Sequence, residues 1–182
     1  MKKYVASIFM LVALPQVARA QLMCGLDVAP VRFSTTDSLS SGTYDTRGML
    51  TVNCTGSKGA AIAACADLGQ GVGAKNSANQ RLLISQGKGH TLPIQIFQDV
   101  GLTKPWGYAD PAQAPILTRI GDGVMSATIY IRLYVQKGAA MPGTYAAQFP
   151  VTLRYGTVQG YGASCGGLGS AVAAAPIIGH KR

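Results

Sequence analysis

The side chains best suited to chemistry in this chain are a serine, two histidines and four cysteines. Residues 162–166 read Gly-Ala-Ser-Cys-Gly, which matches the GxSxG sequence around a hydrolase nucleophile. That motif needs a strand before the serine, a helix after it, and an acidic residue and a histidine later in the chain. Here a glycine-rich stretch follows Ser164, no acidic residue comes after it, and His180 is the one later histidine. We interpret the match as chance.

No metal or cofactor motif accompanies the serine. The two histidines, His90 and His180, lie far apart, and neither a CxxC nor an HxxxH spacing occurs. Residues 69–73 hold three glycines but lack the GxGxxG spacing of a nucleotide-binding loop. The acidic residues form no close pair for acid–base hydrolysis. The sequence therefore predicts no catalytic residue, no cofactor, no metal ion and no enzyme.

The cysteines indicate disulfide bonds. Cys24, Cys54, Cys65 and Cys165 all follow the first twenty residues, and their even number is typical of the disulfide framework of an exported protein. Four cysteines allow three pairings, and their number alone does not select one.

The N-terminus has the features of an export signal. A positively charged start, Met-Lys-Lys, precedes an apolar run at residues 5–14 that is too short to span a bilayer. Ala-Arg-Ala at residues 18–20 suits a signal peptidase. We therefore expect residues 1–20 to be a signal peptide, and the mature chain to pass through the periplasm to the cell surface or to be secreted.

The size and charge of the mature chain limit its partners. Removal of residues 1–20 leaves 162 residues, the size of one domain, and lowers the formal charge from +9 to +6. The basic residues are scattered singly rather than clustered with aromatics, which argues against nucleic-acid binding. The remaining charge indicates solubility or attraction to an anionic surface such as lipopolysaccharide or acidic polysaccharide.

Alternation of apolar and polar residues dominates the mature chain. Apolar residues take every second position in five segments, at 29–33, 49–54, 92–96, 129–135 and 149–155. A period of two places one apolar face of a strand on the core. Glycine-rich turn signals separate these segments, and no window of ten residues has a helical period. The sequence predicts an all-β sandwich, with Pro150 near a strand end or edge.

The single tryptophan lies in the least regular segment, residues 98–124. Trp106 and Tyr108 stand there among prolines and glycines, so we predict a loop. Trp106 either joins Tyr108 in an aromatic contact surface or folds back over the end of the core. Trp106 and Tyr108 are therefore the candidate surface-contact residues.

Several short motifs occur in an order that resembles the spore coat protein U domain family, the subunits of archaic, Csu-type chaperone–usher pili. The resemblance runs from about residue 24 to residue 165. The motifs are Cys-Gly-Leu at 24–26, Val-Arg-Phe at 31–33, Gly-Met-Leu-Thr-Val-Asn-Cys-Thr-Gly at 48–56, Leu-Pro-Ile-Gln-Ile-Phe-Gln-Asp at 92–99, Pro-Trp-Gly at 105–107, Ile-Tyr-Ile-Arg at 129–132 and Pro-Gly-Thr-Tyr at 142–145. Their order and spacing together carry the resemblance.

The resemblance implies an immunoglobulin-like, pilin-type sandwich that lacks its final strand. In such pili a periplasmic chaperone lends the strand, and the N-terminal extension of a neighbouring subunit later replaces it. The implied partners are the chaperone, the outer-membrane usher, neighbouring pilus subunits and an abiotic or host surface, as in adhesion and biofilm formation. The family bridges its first two strands, which implies Cys24–Cys54 and leaves Cys65 with Cys165.

Two departures from a shaft subunit point to the tip of a pilus. Only three residues separate the expected cleavage site from Cys24, too few for a donor strand. The bridge expected between Cys65 and Cys165 resembles the N-terminal, surface-binding domain of two-domain tip proteins, although the second domain is missing here. We therefore expect residues 21–167 to form a pilin-like domain of a tip-like structural or adhesive subunit.

The alanine-rich tail leaves an alternative open. Residues 168–182 act either as a linker or as a strand that closes the sandwich. In the second case the chain is a self-complete secreted coat or matrix protein with no pilus role.

Overall fold

Strands form nearly all of the regular structure of the chain. The computed structural model describes residues 21–33, 41–69, 80–87, 89–107, 114–138, 141–158 and 164–172. Its strands are β1 (Met23–Val28), β2 (Gly42–Thr55), β3 (Ala61–Leu68), β4 (Gln80–Ser85), β5 (Thr91–Phe97), β6 (Ile116–Ile120), β7 (Gly123–Val135), β8 (Tyr145–Ala146), β9 (Val151–Thr157) and β10 (Gly169–Val172). Among these residues the one helical element is a 3-10 turn at Cys165–Gly167.

The strands pair into two antiparallel sheets. One sheet has six strands in the order β1-β2-β7-β5-β4-β8, and the other has four in the order β10-β9-β3-β6. Each sheet turns an apolar face toward the other, as in a sandwich. The largest core cluster includes Leu50 and Val52 of β2, Ile129 and Ile131 of β7, and Leu153 of β9, all at most 2% exposed. The predicted all-β sandwich is confirmed.

The segment after β1 differs from the prediction. Residues 29–33 alternate as a strand would, but β1 ends at Val28 and the segment is not a strand. Val31 and Phe33 are nevertheless buried, at 2% and 9% exposure. Gly48 of β2 explains the path, because a Cβ atom there would collide with the Val31 side chain. The absence of a side chain at Gly48 therefore lets this segment pack directly on β2.

Six strands lie outside the five segments whose alternation predicted strands. They are β1, β3, β4, β6, β8 and β10, and β6 falls inside residues 98–124, which we predicted to be a loop. Every residue of β3 from Ile62 to Ala66 is buried, so both faces of that strand are covered and no polar face marks it. Pro150 precedes the first residue of β9, as predicted.

Asp122 fastens two turns at one end of the sandwich. It lies between β6 and β7, and its carboxylate accepts hydrogen bonds from the backbone N–H of Gly56 at 3.0 Å and of Ser57 at 2.8 Å. The Ser57 hydroxyl donates a third. All three hydrogen bonds lower the pKa of Asp122 from its ordinary value, and the bond from the Ser57 hydroxyl has the largest effect.

The Asp122 carboxylate is expected to make the melting temperature of the domain depend on pH. Because its pKa is lower in the folded chain, the carboxylate stabilises the fold fully above the unfolded-state pKa of about 4. That contribution disappears as the pH falls through the lower folded-state pKa. Asp122→Asn should therefore lower the melting temperature at pH 6 but have little effect near pH 2. Ser57→Ala should reduce the dependence of the melting temperature on pH in the same range. An effect of Asp122→Asn that is equally large at pH 6 and near pH 2 would contradict this role.

Candidate functional site

One edge of the six-stranded sheet is open to a further strand. Among the described residues β1 pairs with β2 alone. Ala29 donates its N–H to Met49 O at 3.1 Å, which fixes the alternation of hydrogen bonds along the pair. Cys24, Leu26 and Val28 must then turn their backbone groups toward the open edge.

The same three residues of β1 face the core with their side chains. Cys24 and Leu26 are half-buried against the main cluster, and Val28 is buried within it. A strand added beside β1 would satisfy their N–H and C=O groups and also cover the apolar surface of Leu26. This combination of an unpaired edge and a half-covered apolar side chain is what strand addition requires.

A disulfide holds β1 in this position. Cys24 lies directly opposite Cys54 in the register of β1 and β2, and the two cysteines are bonded. Cys54 is fully buried. The bridge secures the edge strand to its neighbour β2, and it is the pair that the family resemblance implied.

The second disulfide lies on the outer face of the four-stranded sheet. Cys65 of β3 faces away from the main core and is bonded to Cys165, as the resemblance also implied. Both cysteines are buried together with Ala114, and Leu168 packs against them. The bridge therefore fastens the segment after β9 across the outside of the sheet.

This bridge also places the last strand. β10 begins at Gly169, four residues after Cys165, and pairs antiparallel with β9. The pairing runs from Thr152 to Tyr155, whereas β9 itself extends from Val151 to Thr157. The edge of β9 is thus closed along part of its length by the chain's own tail.

Trp106 is not a surface-contact residue, which corrects that prediction. Its side chain is fully buried, and its indole N–H donates to Ala66 O at 2.9 Å. Its backbone N–H donates to Ile96 O at 2.8 Å. Trp106 therefore covers the end of the core, the second of the two positions considered for it. Tyr108 lies outside the described residues.

A buried arginine fixes this end of the core. Arg81 of β4 is fully buried, and its guanidinium donates to Leu68 O, Gly69 O and Trp106 O at 2.9, 3.1 and 3.1 Å. Its charged carbon lies 5.7 Å from the centre of the Phe149 ring. Arg81 thereby ties the end of β3 to the Trp106 segment. The sequence does not indicate this role, because the apolar Leu82 and Ile84 hide the alternation of the buried Arg81, Leu83 and Ser85.

The position of Trp106 can be measured directly, because the chain has one tryptophan. A fully buried indole should emit at shorter wavelength than free tryptophan and resist quenching by acrylamide. Unfolding in urea should shift the emission to longer wavelength. Emission from the native chain at the wavelength of free tryptophan would contradict the buried position.

The GxSxG match lacks the structure that a nucleophile needs. Ser164 is extended, and a 3-10 turn of three residues follows it instead of a helix. The neighbouring Cys165 is disulfide-bonded, and His180 lies outside the described residues. Within the described part of the chain, no cluster of histidine, cysteine or acidic residues is suited to a metal ion. No helix in that part has the length and apolar character needed to cross a membrane.

The two antiparallel sheets and the two disulfides define an all-β sandwich domain. The family model of the spore coat protein U domain matches residues 10–152, and the chain belongs to this family. No curated protein matches the chain significantly.

Three solved structures resemble the chain at low identity. The CooA pilin subunit of enterotoxigenic Escherichia coli is 11% identical, with 86% of this chain and 98% of that chain covered and a TM-score of 0.41. AggA, the major subunit of aggregative adherence fimbriae type I from Escherichia coli, is 12% identical, with coverage of 89% and 96% and a TM-score of 0.39. The CupB6 tip adhesin of Pseudomonas aeruginosa is 17% identical with a TM-score of 0.42, and the match covers 86% of this chain and 50% of the adhesin.

Proposed function

We propose that the chain is a non-catalytic structural or adhesive subunit of a bacterial chaperone–usher pilus, assembled by donor-strand complementation. The observation that supports this most is the open edge of β1, where Leu26 is half-buried beside unpaired backbone groups. Membership of the spore coat protein U family gives independent support. In this function residues 1–20 direct export, and the subunit acts on the cell surface.

Donor-strand complementation suits this edge for a physical reason. Cys24, Leu26 and Val28 would each exchange backbone hydrogen bonds with an added strand, and burial of Leu26 would add apolar area. The chaperone provides the strand in the periplasm, and a neighbouring subunit provides it after passage through the usher. Both partners recognise the same edge.

We place the subunit at the pilus tip. Two residues, Gln21 and Leu22, separate the expected cleavage site from β1, which is too short for a donor strand at about 3.3 Å per residue. The subunit therefore accepts a strand without lending one. In this proposal residues 21–167 form the tip domain, and it contacts an abiotic or host surface.

Co-expression with a periplasmic chaperone of spore coat protein U family pili tests the assembly mechanism. The chaperone should co-purify with the mature chain, and the chain should aggregate when made without it. Leu26→Asp should weaken capture by the chaperone at least tenfold, because it places a charge under the added strand. Asp27→Asn, on the solvent face of the same strand, is the matched control and should leave capture unchanged. A soluble, stable monomer from cells without the chaperone would argue against an open groove.

A second candidate is a self-complete secreted coat or matrix protein without a pilus role. The pairing of β10 with β9 favours it, because the tail then supplies a closing strand in antiparallel orientation. Cys65–Cys165 holds the start of that strand close to β9, which lowers the entropic cost of pairing.

Deletion of residues 168–182 separates the two candidates. In a self-complete protein the deletion removes β10 and should lower the melting temperature by at least several degrees. In a donor-strand acceptor it should leave the stability of the chaperone complex unchanged. Unchanged stability of the free chain would exclude self-completion.

A further inference from the structure

The four-stranded sheet has a second edge, formed by β6, on the side opposite β10. Among the described residues β6 pairs with β3 alone. Gly121 donates its N–H to Ala60 O at 3.1 Å at the end of this pair, which fixes the alternation of hydrogen bonds. Ile116, Thr118 and Ile120 must then direct their N–H and C=O groups away from β3, toward the open edge.

These three residues also form an exposed row on the outer face of the sheet. Ile116 and Ile120 are 45% and 77% exposed, and Thr118 between them is exposed as well. All three are β-branched, the side chains that fit best on a pleated surface. An exposed edge that combines free backbone groups with apolar β-branched side chains favours pairing with another strand.

Two of the other sheet edges, β8 and β10, have features that oppose such pairing. β8 has two residues, and β10 has four and begins with glycine. On β6 the one charged side chain is Arg119, whose guanidinium donates to Asp122 O at 2.9 Å and to Val124 O at 3.4 Å within its own hairpin. Its charge is therefore held away from the open edge.

We propose that β6 is a homotypic interaction surface on which β6 of a second copy of this chain pairs antiparallel, centred on Thr118. The order Ile-Leu-Thr-Arg-Ile makes this register self-complementary. Ile116 then lies opposite Ile120 of the second copy, and the two Thr118 residues lie opposite each other. Antiparallel pairing about one residue gives a closed two-fold dimer, with both copies using the same surface. Cross-strand Ile–Ile and Thr–Thr pairs are among those that stabilise sheets.

The proposal is independent of the pilus function, because β6 and the edge formed by β1 belong to different sheets. A dimer through β6 leaves β1 free to accept a strand. The association can therefore be measured on the soluble form of the protein, which is the chaperone complex of a donor-strand acceptor or the free mature chain of a self-complete protein.

Sedimentation equilibrium of this soluble form, carrying one or the other of two substitutions at Thr118, tests the proposal. Thr118→Pro removes a backbone donor that faces the open edge, a position at which proline is tolerated in edge strands. It should weaken dimerisation at least tenfold while the melting temperature stays near that of the wild type. Thr118→Val, the matched control, keeps the donor and should dimerise as well as the wild type. A wild-type chain that stays monomeric at all concentrations, or a Thr118→Pro variant that dimerises equally well, would overturn the proposal.

Cysteine cross-linking tests the register. In the proposed dimer the two copies of residue 118 have Cα atoms about 5.5 Å apart, within disulfide range. The two copies of residue 120 lie roughly 14 Å apart, because four residues separate them along the strands. Thr118→Cys should therefore form a covalent dimer on mild oxidation and Ile120→Cys should not. A mixture of Ile116→Cys and Ile120→Cys should cross-link to each other. Equal cross-linking at positions 118 and 120 would overturn the register.

Hydrogen exchange shows whether a second copy of the chain or another segment of the same chain pairs with β6. In a dilute, monomeric sample the Thr118 amide should exchange quickly, and it should slow as the dimer forms. Slow exchange that does not depend on concentration would show that another segment of the same chain covers β6, and would overturn the proposal.

Discussion

Replacing Arg81 with Met should lower the free energy of unfolding by about 3 kcal/mol or more, measured by urea unfolding with the fluorescence of Trp106. Arg81 donates to the carbonyl oxygens of Leu68, Gly69 and Trp106 at the buried end of the core. Methionine fills much of the same volume but donates no hydrogen bond, so these acceptors lose their partner away from water. Removal of the charge from over the Phe149 ring adds to the loss.

Two control substitutions show whether the geometry of the guanidinium is responsible. Arg47→Met makes the same change at an exposed position of β2 and should alter stability by less than about 0.5 kcal/mol. Arg81→Lys keeps the charge but lacks the planar fork that reaches several carbonyls at once, so it should also destabilise strongly. An Arg81→Met chain as stable as the Arg47→Met chain would contradict the role assigned to Arg81.

Loss of the Cys65–Cys165 bridge is expected to have the other large effect. Cysteines 100 residues apart close a long loop, and the chain-entropy model gives about 4.7 kcal/mol for a loop of that length. Replacement of both cysteines by alanine also releases the segment that carries β10. The amides of Leu153 and Tyr155, which face β10 and not β3, should then lose protection from hydrogen exchange, in addition to the fall in the urea midpoint.

The first disulfide provides the internal comparison. Cys24 and Cys54 are 30 residues apart, for which the same model gives roughly 3.6 kcal/mol. The double alanine variant of this pair should therefore be the more stable of the two, with the amides of Leu153 and Tyr155 still protected. The reverse order of stability would show that loop length and β10 do not determine the contribution of the second bridge.

The sequence predicted those strands that have one buried face and one solvated face. In β2 and β7 one face is buried and the other is solvated, so alternation marked both and assigned Leu50, Ile129 and Ile131 to the core correctly. The pattern could not show β3, because Cys165 and Leu168 cover its outer face and alanine fills both sides.

Other errors arose from contacts between residues distant in sequence. Residues 29–33 alternate because Val31 and Phe33 are buried, but the segment packs over Gly48 instead of pairing as a strand. The burial of Arg81 depends on carbonyls from two other segments, and no local pattern contains that information. The pairs Cys24–Cys54 and Cys65–Cys165 were implied by the family resemblance, whereas the cysteine count left three pairings open.

The two disulfides also determine how the domain would transmit tension. A pull applied between Gln21 and the tail passes from Cys24 across its bridge to Cys54, along the chain to Cys65, and across the second bridge to Cys165. Between Cys24 and Cys165, only the residues from Cys54 to Cys65 can lengthen within this path, and their fully extended span is roughly 35–40 Å. The rest of the sandwich lies in closed loops that bear no tension, so the oxidised domain is nearly inextensible under a pull that would draw out the reduced chain to many times that length.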